Sequence, residues 1–170
     1  MIRVDDAKFK QVVGCFPTGV AVVAWRDMES RLTGITISSF TSLSLDPPLI
    51  LFCLNKNSRR WGSLRQAEYF SVTILDHDQG DICRHFARHA QQTQWDEIDY
   101  DTGPLGCPIP NDAVAWMECR RTRYYLGGDH YIILGQVMTL DVEKKSDATR
   151  PLLYYRSKIF PENKSAKKKL

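Results

Sequence analysis

Five hydroxyl side chains, Ser38, Ser39, Thr41, Ser42 and Ser44, fall within seven residues of one another, between two apolar runs. Side-chain hydroxyls and backbone N–H groups together suit phosphate oxygens and the polyol chain of a nucleotide cofactor. Phe40 and Leu43 are interleaved with them and could face a flat apolar ring. Asp46-Pro47-Pro48 stiffens the exit toward extended or turn geometry. The plainer alternative is a Ser-rich turn whose hydroxyls bond local backbone. From this stretch alone both readings stand.

A second stretch, CLNKNSRRW at residues 53–61, leaves an apolar run with Asn55, Lys56, Asn57, Ser58, Arg59 and Arg60. A helix N-terminus beside cations attracts anions. Neither G-x-G-x-x-G nor G-x-x-x-x-G-K-[ST] occurs, so any nucleotide is held without those two devices. A third stretch, GGDHYIILGQV at residues 127–137, sets Asp129 and His130 at the mouth of a strand behind a Gly-Gly turn. Gly135 within that strand can admit a ligand or a neighbouring backbone. His85 and His89 share the i, i+4 spacing of some zinc sites, but no third ligand accompanies them, and no metal is expected.

The elements that must position these residues are short. Phe9, Val12, Val13 and Phe16 recur at helical spacing behind two acids, which predicts a helix over 5–16. Residues 20–25, 32–37, 69–75, 114–121, 130–137 and 151–156 read as strands. Residues 49–54 form a continuous apolar run, as in a strand buried on both faces. Ser58 is placed to cap a helix through about residue 66, and residues 78–87 read as another helix. Residues 91–112, with Gly103, Pro104, Gly106, Pro108 and Pro110, predict a long irregular loop. Six to eight strands with two or three helices, strands following strands, point to a small antiparallel barrel, closed or partly closed, with peripheral helices.

At 170 residues and 43% hydrophobic content the chain suits one domain with a sizeable core. No apolar run is long enough to cross a bilayer, and the N-terminus lacks an apolar signal region. Five cysteines without a C-x-x-C spacing point to a reducing cytoplasm. The formal charge of +3 sits in the last residues, where five lysines from Lys158 onward face one acid, Glu162. The rest is near neutral, which argues against a nucleic-acid-binding face. The expected organisation is one domain over residues 1–157 and a basic, flexible tail over 158–170.

FPTGVAVV (16–23), TGITISSFTSLSLDPPLILFCLNKNS (33–58), DICRHFA (81–87), GDHYIILGQV (128–137) and PLLYYR (151–156) together resemble the short-chain flavin reductases. These are the small reductase components of two-component flavin-dependent monooxygenases. The resemblance implies a split antiparallel β-barrel that dimerises, binds FMN or FAD, and reduces it with NADH or NADPH for a partner oxygenase. Matched position by position, it implies flavin contacts from Thr36, Ser38, Ser39, Thr41 and Ser42, from Asn55, Lys56 and Ser58 near the ribityl chain and phosphate, and from Phe86 and Ala87. It implies that His130 is the catalytic histidine, binding nicotinamide with Tyr155 and Arg156. Arg60 and Trp61 stand where many members carry a small hydroxyl residue. Two further readings are a flavin carrier or sensor without turnover, and an FMN enzyme of the pyridoxamine-phosphate-oxidase kind.

Overall fold

The computed structural model describes residues 4–88, 95–142 and 150–161. Helix α1 (Asp6–Val13) starts where the Asp5 carboxylate accepts from the Lys8 amide at 2.7 Å, with Asp6 in the first turn. Strands β1 (Thr18–Gly19), β2 (Ala21–Arg26), β3 (Leu32–Ile37), β4 (Thr41–Leu45) and β5 (Pro48–Asn55) follow. Then come α2 (Trp61–Leu64), β6 (Tyr69–Ile74), α3 (Gly80–Ala87), β7 (Tyr100–Thr102) and β8 (Pro108–Pro110). The long strands β9 (Ala115–Gly127) and β10 (His130–Val142) precede β11 (Leu153–Tyr155) and β12 (Lys158–Phe160).

Seven strands form one antiparallel sheet in the order β3-β2-β6-β9-β10-β5-β4. Its two edges, β3 and β4, are consecutive in the chain and separated only by residues 38–40. Two cores follow from strand alternation. Val23, Trp25, Ile37, Phe52, Phe70 and Ile133 come from five strands and meet on one face. Val22, Ala24, Cys83, Phe86, Trp95 and Leu152 meet on the other, beneath α3. Each such large apolar side chain contributes about 1.5–3 kcal/mol of burial free energy.

Several expectations need correction. Residues 49–54 are not a strand buried on both faces, as β2 and β6 are, because β5 alternates: Ile50, Phe52 and Leu54 are buried, while Leu49, Leu51 and Cys53 are half-buried. The helix expected from Ser58 to residue 66 is the single turn α2, preceded by a turn in which the Ser58 hydroxyl accepts from the Arg60 amide. Residues 95–112 are not a loop throughout: β7 and β8 pair, and Pro108, Ile109 and Pro110 are buried. The hydroxyl cluster is partly strand, since β4 pairs with β5 around a turn at Asp46-Pro47. Lys158 does not begin a tail, because β12 pairs with β11; residues 162–170 lie outside the described residues, as does His89.

Candidate active site

Thr36 leaves β3 on the face that carries α3, and its hydroxyl donates to the Cys83 carbonyl at 2.7 Å. That bond sets the spacing between strand and helix. Beside it lies a cavity of about 580 Å³ lined by Thr36, Ser38, Cys83, Ala87 and Tyr154, with Ser157, Lys158 and Ile159 along one side. Its volume is that of a cofactor or small-ligand site, and it has mostly apolar walls with a few polar groups, as such sites do.

The hydroxyl corner connects this cavity to the outer face of the sheet. Ser39 Oγ accepts from the Cys53 amide at 3.0 Å and donates to the Cys53 carbonyl at 3.2 Å. On β10 and β5, His130 stands opposite Asn55, Ile132 opposite Cys53, and Leu134 opposite Leu51. Cross-strand partners share a face. The partners of the core residues Phe52 and Ile133 point inward, so Cys53, Asn55 and His130 point outward, on the same side as Thr36. Thr41 joins them opposite Leu51, whereas Ser42 stands opposite the buried Ile50 and belongs to the other face.

The turns at the end of this face are held by their own polar groups. Asn55 Oδ1 accepts from the Asn57 amide at 2.8 Å, and the Lys56 amide donates to the Asp129 carbonyl at 3.0 Å. The second bond ties the 53–61 segment to the β9–β10 turn, where Gly128 adopts a φ of +64°. His130 Nδ1 lies 2.7 Å from Asp129 Oδ1. With Nδ1 as the donor, Nε2 is left to meet a ligand. The hydrogen bond and charge of His130 hold the Asp129 carboxyl below the usual carboxylate range.

Other expected residues fall elsewhere. Phe86 is wholly buried, packed against Trp95 with ring centroids 4.8 Å apart, so Ala87 and not the Phe86 ring borders the cavity. Tyr155 lines a separate apolar cleft with Pro17, Leu153 and Phe160. The Arg156 guanidinium lies 5.2 Å from the Tyr155 ring centre, and its amide donates to the Gly14 carbonyl. Both therefore face the α1 end. Gly135 admits no ligand: a Cβ there would stand 2.5 Å from the Phe70 ring. α2 is one turn, so anion binding near Ser58 cannot rest on a helix dipole and falls to backbone amides and Lys56. Sequence reasoning missed Tyr154; alternation along β11 was the available signal, since it sets Tyr154 on the side opposite Tyr155.

Metal-capable side chains group at Asp76, His77 and Asp78, away from the cavity, and both His77 nitrogens lie against the two carboxylates. Burial, and then the neighbouring Glu118, push the Cys107 and Cys119 thiols up to about 12, which removes both as nucleophiles. Among the described residues, no helix is long and apolar enough to cross a membrane.

The arrangement is that of a mainly β, antiparallel protein with a cofactor-sized cavity at a hydroxyl-rich corner. The sequence matches the flavin reductase like domain over residues 13–162. It is 35% identical over 153 residues to a flavin reductase of Pseudomonas putida, covering 90% of this chain and 88% of that protein. It is likewise 35% identical over 153 residues to the reductase subunit HsaB of a flavin-dependent monooxygenase from Rhodococcus jostii, covering 90% and 76%. The solved structure of the Streptomyces globisporus NADH:FAD oxidoreductase SgcE6, in complex with NAD and FAD fragments, superposes with a TM-score of 0.84 at 36% identity, covering 98% of this chain and 99% of that one. The chain belongs to the flavin reductase like family.

Proposed function

We propose that this chain is an NAD(P)H:flavin oxidoreductase that reduces FMN or FAD and supplies the reduced flavin to a partner monooxygenase. The observation that carries the site is the pair of Ser39–Cys53 hydrogen bonds, which ties the corner beside the cavity-lining Ser38 to the strand face bearing Cys53, Asn55 and His130. An apolar-walled cavity rimmed by hydroxyls suits an isoalloxazine, and the Asn55–Ser58 turn suits its ribityl phosphate.

When bound, the flavin supplies the hydride acceptor. The chain's own work is positional. Thr36 and Ala87 bound the ring's place; Ser38 and the backbone of Ser39 offer polar groups at its rim. The Ser39 hydroxyl itself holds β5, so its part is to fix the corner. Lys56 lends positive charge to the phosphate. Asp129 orients the His130 ring, whose Nε2 meets the nicotinamide carboxamide or ribose. Two rings held face to face within about 3–3.5 Å need no nucleophile or metal from the protein.

The seven-stranded sheet, with its consecutive edges β3 and β4, closes as a split barrel in this reading. Leu45 is 94% exposed, Leu140 62% and Val142 61%, which supports burial of these strands in a homodimer. Free cysteines suit a cytoplasmic protein.

Flavin titration of the wild type and of Ala87→Trp, followed by melting temperature and flavin fluorescence, tests the reading. Wild type should bind and stabilise, and the tryptophan should abolish both effects. If neither FMN nor FAD changes the wild type, the site assignment is wrong.

A further inference from the structure

We infer that Tyr154, on β11, is the aromatic wall against which the flavin ring lies, and that Tyr155 has no contact with it; this rests on the flavin reading of the cavity. Tyr154 is the one aromatic side chain along the described lining of the cavity. It stands opposite Ile159 in the β11–β12 pair, and Ile159 lines the same cavity and packs on the core beneath α3. Cross-strand partners share a face. Tyr155 is not among the cavity's lining residues, and its ring lies with Pro17, Leu153 and Phe160 in the separate cleft. The Arg156 guanidinium lies 5.2 Å from the centre of that ring.

The hairpin that carries Tyr154 is fixed at both ends. Arg156 and Ser157 form its turn with φ of 48° and 63°. Tyr154 also stands opposite Thr18 on β1, so β11 is held on both edges. Tyr154 is 37% exposed, enough to leave ring surface for a ligand. Aromatic contacts with a planar π-system add to affinity through stacking geometry. A tyrosine in contact with an excited flavin also gives it an electron and takes it back, which shortens the flavin emission lifetime to picoseconds. Phenylalanine does not.

The experiment compares wild type, Tyr154→Phe, Tyr154→Leu and Tyr155→Phe, each loaded with FMN or FAD. The readouts are dissociation constant and emission lifetime. Wild type and Tyr155→Phe should show a picosecond component. Tyr154→Phe should keep wild-type affinity and lose that component, and Tyr154→Leu should lose it and bind about fivefold more weakly. A picosecond component that survives in Tyr154→Phe, or disappears in Tyr155→Phe, overturns the inference while leaving the flavin site standing. Wild-type protein that binds neither flavin removes the reading beneath it instead.

Discussion

The Ser39 hydroxyl sits between the amide and the carbonyl of Cys53, bonding both from one side chain across the gap between the hydroxyl corner and β5. It continues with a side chain the pairing that β4 makes with backbone further along, where Thr41 meets Leu51. The corner therefore keeps its shape without a regular strand, and leaves the backbone of residues 38–40 available to a ligand.

Ser39→Ala leaves two half-buried backbone groups of Cys53 without this partner. It should lower unfolding free energy by about 1–3 kcal/mol. Flavin affinity should fall as well, because the corner loses its tether. Urea denaturation and flavin titration on one preparation check both. Unchanged stability would mean that water replaces the hydroxyl at no cost.

Glu118 is wholly buried, and its carboxylate accepts from the Leu105 and Cys107 amides at 2.9 and 3.0 Å. Gly103 lies against it, and an added Cβ would fall 2.5 Å from the carboxylate carbon. Gly103→Ala should therefore displace the carboxylate and cost at least about 2 kcal/mol, measured by denaturation. The 95–112 segment should also become sensitive to protease. An alanine variant as stable as wild type would show that Glu118 does not hold this segment.

Runs of branched and aromatic residues made β2, β3, β6 and β10 legible. The same signal missed β4, whose TSLSL is an edge strand with mostly exposed side chains and reads as a polar turn. It hid β7 and β8 because Pro108 and Pro110 look like breakers; on a two-stranded ribbon a proline needs no donor on its outer edge. Of the candidate site, residues taken from separate segments come together in space: Thr36, Ser38 and Ala87 line one cavity and His130 stands opposite Asn55. Which member of each segment faces the cavity depends on register: Tyr154 and Tyr155 differ by one residue and point to opposite sides.

Cys107 and Cys119 are buried with thiols pushed up to about 12, while Cys15 is exposed. A thiol reagent at mildly alkaline pH should modify Cys15 first, and Cys15→Ser should abolish the fast phase. Labelling should leave flavin reduction intact. Rapid labelling of Cys107 or Cys119 in the folded protein would contradict the burial.

The carboxyl of Asp129 has its pKa depressed by its hydrogen bond from His130, so it is fully ionised through the ordinary carboxylate range and above, and takes up a proton only as pH falls below that range. Between neutrality and mild acid, Asp129 should not titrate. Asp129→Asn should raise the KM for NADH across that whole range, and His130→Ala should raise it further or lower turnover. A pH profile of kcat/KM separates the pair. His130→Ala with wild-type KM and turnover would remove His130 from the nicotinamide site.

Anaerobic mixing of the protein with NADH and an excess of FMN or FAD tests flavin reduction most directly. Loss of the near-ultraviolet band of NADH should be matched one for one by bleaching of the visible flavin band, over many turnovers, and Ala87→Trp should stop both. Bleaching no faster than in a protein-free control, with either flavin and with either NADH or NADPH, would contradict the account.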